Sequence, residues 1–205
     1  MIYKQNSMLN LVIVVVLLSW SGMALAMESI FPFEDPDSHL WGYKDAGGTV
    51  LIAPCYSVAQ DFSPEGIAAV ADQSGWMYID TKAKVLIRPL ILDNGPDPFQ
   101  EGLARFGDKG KIGFFDQTGK VIIDPKFDFI LPFYDGLAAF CQGCKEQQEG
   151  EYHSVVGGKW GFINTKGKIV IAPKYEKADP FEQGKARVIL NGRPLTINKH
   201  GELTK

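Results

Sequence analysis

From residue 40 onward the hydrophobic and polar positions fall into a pattern that returns five times. Each copy opens on a four-residue aromatic or apolar run: Trp41-Gly42-Tyr43-Lys44, Trp76-Met77-Tyr78-Ile79, Ile112-Gly113-Phe114-Phe115, Trp160-Gly161-Phe162-Ile163 and the degenerate Pro194-Leu195-Thr196-Ile197. A polar turn follows that opens on Asp or Asn and closes, in all but one copy, on Gly. These turns are Asp45 to Gly48, Asp80 to Ala83, Asp116 to Gly119, Asn164 to Gly167 and Asn198 to Gly201. In four copies a β-branched run ending in proline comes next, at Val50 to Pro54, Val85 to Pro89, Val121 to Pro125 and Ile169 to Pro173. This alternation predicts a β-hairpin. Asp or Asn bonds backbone amides of the turn with its side chain, and Gly three positions later takes a left-handed conformation. The proline, lacking an amide hydrogen, is expected to end the second strand. With period-2 alternation, Trp160 and Phe162 should share one face, and Gly161 and Ile163 the other.

A third element recurs as Phe-x-x-Gly followed by a short apolar run: Phe99 to Phe106, Phe133 to Phe140 and Phe181 to Val188, with one extra residue in the first copy, Phe62 to Val70. Each reads as a turn feeding a strand. No stretch after Ala26 sustains a 3.6-residue period, so no helix is expected. The fold class is therefore all-β: about four and a half three-stranded antiparallel repeats over residues 40–205. Successive turns open 35, 36, 48 and 34 residues apart. A period near 35 is short for a four-stranded propeller blade of ~40 to 45 residues. A curved, open array is favoured, with closure into a propeller or barrel as the alternative. Residues 27–39 and the last hairpin should cap its ends.

The stretch from Lys159 to Tyr175, with its Trp160-Gly161, its Asn164 to Gly167 turn and its proline, resembles the bacterial WG (KWG) repeat family, as does the later Phe-x-x-Gly-x-Ala. The resemblance extends over residues 40–205 and departs at Ile112, Met77 and the final copy. It implies a repeat scaffold for interaction, with Trp41, Trp76, Trp160, Gly42, Gly113 and Gly161 as structural positions. It implies no particular activity.

The first 26 residues stand apart. Lys4 lies in a polar lead, Leu11 to Leu18 is apolar throughout, and Ala24-Leu25-Ala26 offers a small-residue cleavage site, which together read as a secretory signal peptide. The apolar run is shorter than the ~20 residues that span a bilayer, so no membrane span is expected after cleavage. The expected location is exported, periplasmic or secreted. Of the 205 residues, 45% are hydrophobic and 22% charged, enough to build a core. The net charge is −3 and no Lys/Arg-rich run occurs, which argues against a nucleic-acid partner.

Candidate chemistry is sparse. Asp45, Asp80, Asp116 and Asn164 open turns, and Gly119 and Gly167 close them, so a structural role is expected for each. Glu65, Glu101, Asp135 and Gln183 recur before the third strand; because glutamine is neither acid nor base, a structural hydrogen bond fits all four. His39, His153 and His200 are scattered. No nucleophile elbow, phosphate loop or dinucleotide fingerprint occurs, so no enzyme and no cofactor is expected. Trp41, Trp76 and Trp160 are read as packing residues; exposed, they would instead offer a glycan-stacking face.

One interval breaks the period. Fourteen residues are added between Gly136 and Trp160, and the segment 141–158 carries Cys141, Cys144, Tyr152 and His153, the candidate binding residues. Cys141 and Cys144 admit three readings: a structural disulfide, a redox pair, or half of a zinc site with His153 and Cys55. The disulfide is expected, no metal is assigned, and Cys55 is read as a buried thiol past a strand end. The functional expectation is a non-enzymatic binding protein of the cell envelope with a protein partner. A glycan- or cell-wall-binding module is the second reading and an enzyme the third.

Overall fold

A computed structural model describes residues 29–149 and 152–204, and every regular element among them is a β-strand. The expected leader over residues 1–26 lies outside the described residues. The first sheet holds β1 (Phe31–Glu34), β2 (Trp41–Lys44) and β3 (Val50–Tyr56). The second holds β4 (Val58–Ala59), β5 (Ile67–Asp72), β6 (Gly75–Asp80) and β7 (Val85–Ile87), and is followed by a small hairpin of β8 (Ile91–Leu92) and β9 (Gly95–Pro96). The third holds β10 (Leu103–Asp108), β11 (Lys111–Asp116) and β12 (Val121–Phe127). The fourth holds β13 (Phe129–Ile130), β14 (Leu137–Glu149), β15 (Tyr152–Asn164) and β16 (Ile169–Tyr175). The fifth holds β17 (Lys177–Ala178), β18 (Lys185–Leu190) and β19 (Arg193–Asn198). All pairings between these strands are antiparallel, no sheet closes on itself, and the array is open.

The sheets do not coincide with the sequence repeats. The strand after each Phe-x-x-Gly turn pairs with the Trp-Gly-type strand of the next repeat, in the registers Ile67↔Asp80, Leu103↔Asp116, Leu137↔Asn164 and Lys185↔Asn198. Each repeat is thus stitched into two sheets. In the first sheet β1, from the expected N-terminal cap, takes the place that the strand after a Phe-x-x-Gly turn holds in the other sheets.

Alternation along the strands fills four cores, one between each pair of successive sheets. Ala68 and Val70 of β5 face the first core with Tyr43 and Tyr56, while Ile67 and Ala69 face the second with Phe106 and Phe115. As expected from period 2, Trp160 and Phe162 point to the core shared with the fifth sheet, and Ile163 to the one shared with the third. Middle sheets are therefore buried on both faces. On the last sheet, exposed Lys185 and Arg187 give the outer side a polar finish, as a terminal repeat requires.

The proline does not end the strand. β3, β12 and β16 each run two residues beyond it, to Tyr56, Phe127 and Tyr175. The reason lies opposite. Trp160 pairs with Tyr175 and Phe162 with Ile171, so the residues around Pro173 bulge over Gly161 and form no ladder bond there. A Cβ on Gly161 would lie 2.5 Å from the Ile171 carbonyl oxygen and 2.7 Å from the Pro173 nitrogen. Gly42 and Gly113 are crossed in the same way by Ile52 with Pro54 and by Ile123 with Pro125. Where Met77 replaces this glycine, its side chain fills the first core instead, and β7 stops at Ile87.

Among the described residues, the outer edges of β1 and β19 each carry a proline. Asp45 donates its N–H to Thr49 O, and Asn198 its N–H to Glu202 O, so on β2 the odd and on β19 the even positions point toward the hairpin partner that follows. Pro194 on β19 therefore turns its hydrogen-free nitrogen outward. Pro32, opposite Tyr43, does the same on β1. Neither edge can donate an amide hydrogen at that position to an added strand.

Candidate functional site

All five hairpin turns share one geometry. The N–H of the fourth residue reaches the C=O of the first, from Gly48 to Asp45 at 3.1 Å through Gly201 to Asn198 at 2.9 Å. The side-chain oxygen of the first residue accepts from amides two or four positions on: Asp45 from Thr49 at 2.8 Å, Asp80 from Lys82 and Lys84 at 2.9 Å, Asp116 from Thr118 at 2.9 Å, and Asn164 from Lys168 at 3.0 Å. Gly119 and Gly167 are left-handed, at φ 79° and 72°, and so is Ala83 at 61°. Asp45 and Asp116 are both held below the usual carboxylate range. For Asp45 the Thr49 amide is the chief cause; for Asp116 burial opposes the shift and the hydrogen bonds from Thr118 and Lys120 outweigh it.

The tryptophans sit in three different cores. Trp160 is buried edge-on to Phe129, with ring centroids 5.7 Å apart, while Trp41 and Trp76 are half-buried against the first and second cores. Trp76 also donates its indole N–H to Asn94 O at 3.0 Å. The three rings form no common exposed face. His39 pairs with Glu34 at 3.0 Å, His200 is exposed in its turn, and among the described residues no three His, Cys, Asp or Glu side chains converge.

The structural hydrogen bond expected of the residues before the third strand is present for Glu101 and Asp135 and links successive sheets, while its partners and the Asp97–Arg105 pair were not legible in the sequence. Glu101 and Gly102, both left-handed, form a two-residue turn, and the Glu101 carboxylate accepts the N–H of Gly136 in the next such turn at 3.0 Å. Asp135 accepts the N–H of Gly184 in the turn after that, and its other oxygen accepts from Lys199 Nζ at 2.9 Å. Asp97 is buried and takes a two-pronged bond from Arg105, 2.6 Å from NH2 and 3.0 Å from Nε, while NH1 of Arg105 reaches Ile130 O on the fourth sheet at 3.0 Å. The spacing of Asp97 and Arg105 carried no signal, because they meet only through the β8–β9 hairpin.

The segment 141–158 is a lengthened hairpin. β14 and β15 pair from Leu137↔Asn164 out to Glu149↔Tyr152, where the corresponding hairpin of the third sheet ends at Asp108↔Lys111. At its base Gly143, Gly157 and Gly158 are all left-handed, and Cys141 and Cys144 are joined, with Cα atoms 5.7 Å apart. While bonded, neither sulfur is a thiolate that could ligate a metal. A Cβ on Gly158 would meet the Cys141 sulfur at 2.8 Å, so the cross-link and the glycine occupy one crowded crossing. Tyr152 and His153 lie on β15 near the tip, and their side chains fall outside the described residues.

Beside this base a cleft of about 350 Å³ opens between the third and fourth sheets. Phe127, Phe140 and Ile169 give it an apolar floor, with Lys126, Asp128 and Gln142 at its mouth. The Asp128 carboxylate is engaged by Lys111 and by the Gly143 N–H at 3.3 Å, which hold it below its usual range. This arrangement presents apolar surface and one cation, which suits binding. Cys55 lies elsewhere and differs from expectation: it is inside β3 and exposed, because the strand continues past Pro54 and alternation turns Ile52 and Tyr56 inward instead.

Stacked antiparallel sheets tied through a recurring Trp-Gly crossing define a β-repeat protein. The WG containing repeat model matches residues 41–72, 76–111, 112–145 and 160–193, and the chain belongs to that family. No curated protein is similar enough to match it.

Proposed function

We propose that this chain is a non-enzymatic, exported binding protein whose lengthened β14–β15 hairpin and the cleft at its base hold a protein partner of the cell envelope. The observation that carries this reading is the hairpin itself. On a scaffold where the equivalent strands are six residues long, one hairpin runs 13 residues on each strand, with a disulfide and three left-handed glycines setting its departure. Such a ribbon has two edges of backbone groups for pairing with another chain, and the apolar floor beside it can take a side chain from the same partner. Export rests on the leader pattern of residues 1–26, and an oxidising compartment is where a bond such as Cys141–Cys144 persists.

The test replaces residues 143–158 by Asn-Gly. Circular dichroism should stay that of a β protein, while capture of a partner from an envelope extract is lost. Unchanged capture would overturn the binding role of the hairpin. Export is checked separately, by sequencing the N-terminus of the protein in the envelope fraction, with Met27 expected first.

A further inference from the structure

The second strand of the hairpin starts with a bulge in each of the first four copies. Val50 and Ile52 pair with consecutive residues of β2, as do Val85 and Ile87 on β6, Val121 and Ile123 on β11, and Ile169 and Ile171 on β15. Two residues therefore oppose one, and strict in–out alternation is broken. Both members of the pairs Val50-Leu51, Val121-Ile122 and Ile169-Val170 stay outside, with Val50 53% and Ile169 51% exposed. Val85 is exposed at the same place, and Leu203, at the equivalent position after the last turn, is 68% exposed. Strand propensity alone does not explain this choice, since threonine serves an exposed strand equally well and leucine serves it worse.

These residues lie in a row. Gly119 lies against Leu86 of the preceding repeat, and Gly167 and Gly201 against the buried Ile123 and Ile171, so each of these turns sits beside the strand of the repeat before it and the exposed residues that follow the turns recur along one rim. A lysine follows the turn directly in the three middle copies, at Lys84, Lys120 and Lys168, and Lys82 and Lys166 add to it within the turns. All five are exposed, and among the described residues none has an ion-pair partner within 4 Å. The turn carboxylates Asp80 and Asp116 are directed at their own backbone amides. Over the three middle copies the five lysines outnumber the two turn aspartates and the rim is basic there, while the end copies carry Asp45 and Glu202.

We propose that this rim is a peripheral docking surface for an anionic lipid bilayer. Protruding aliphatic side chains suit the headgroup–acyl boundary, and lysines on flexible stems reach the phosphates around them. A protein partner fits less well: protein interfaces favour Tyr, Trp, Met and Arg and are depleted in Lys, and this rim has lysine and aliphatic residues without an aromatic anchor.

The experiment uses the chain from Met27 onward, which contains every strand and core described, and sedimentation with vesicles of phosphatidylcholine, either pure or with phosphatidylglycerol at about 30%. The partition coefficient should be at least about tenfold higher on the anionic vesicles and should fall with added salt. In the variant Ile122→Ser/Val170→Ser, whose charge is unchanged and whose altered side chains are outside every core, it should drop at least about threefold. Equal binding to both vesicle types, or none to either, would overturn the proposal. So would an aliphatic variant that binds as well as the parent, and so would polyglutamate binding as tight as vesicle binding, which would assign the rim to an acidic macromolecule.

Discussion

At Gly161 a single methyl group would press on the backbone of Ile171 and Pro173, and neither can yield without opening the β15–β16 crossing. Gly161→Ala is therefore expected to cost about 1–3 kcal/mol or more in urea denaturation, as overpacking does. Gly48→Ala is the control. Its φ is 88° but nothing lies within 4 Å of the new Cβ, so only the left-handed penalty of about 1–2 kcal/mol applies. Ala83 tests the same position in reverse. It already sits at φ 61° with its N–H on Asp80 O at 3.0 Å, so Ala83→Gly relieves strain while loosening the unfolded chain. The expected outcome is a change between zero and about 1 kcal/mol of stabilisation. A clear loss of stability would show that Ala83 contributes more through its packing against the first core than its backbone costs.

Between elements, the stack depends on bonds that cross from one sheet to the next. Asp97→Asn leaves the Arg105 guanidinium, itself nearly buried, facing a neutral amide, and should destabilise by about 3–5 kcal/mol in the same denaturation assay. The carboxylate clamps add an acid limit. Asp135 is held below its usual range first by Lys199 and then by the Gly184 N–H. A depressed folded-state value means that its contribution is complete above the unfolded value of about 3.9 and is lost as pH falls through the folded value. Melting temperature should therefore decline below about pH 4, and the decline should be shallower in Asp135→Asn, which has no such proton to take up.

For the molecule as a whole, four cores between five sheets make stability a sum of neighbouring interfaces. Gly42 and Gly161 belong to the first and fourth sheets and share no core. The double variant Gly42→Ala/Gly161→Ala should lose the sum of the two single losses within about 0.5 kcal/mol. A marked departure from that sum would mean that the array transmits strain across more than one sheet.

The repeat, its hairpin turns and the two faces of each strand were legible along the chain because they depend on residues close in sequence. Asp or Asn at the turn start, Gly or Ala83 at its close and alternation around Trp160 carry their meaning within a few positions. The place of the lengthened hairpin and its cysteine pair could be read the same way, from a broken interval. The partners across sheets could not. Which strand the Phe-x-x-Gly segment joins, why Trp needs Gly beside it and why β3 survives Pro54 all follow from another strand's backbone passing overhead. Glu101 and Gly136, and Asp135 with Gly184 and Lys199, are brought together only by stacking, and Asp97 meets Arg105 only through the β8–β9 hairpin. Local residues determined the unit, and the close approach of one unit to the next decided how the units are joined.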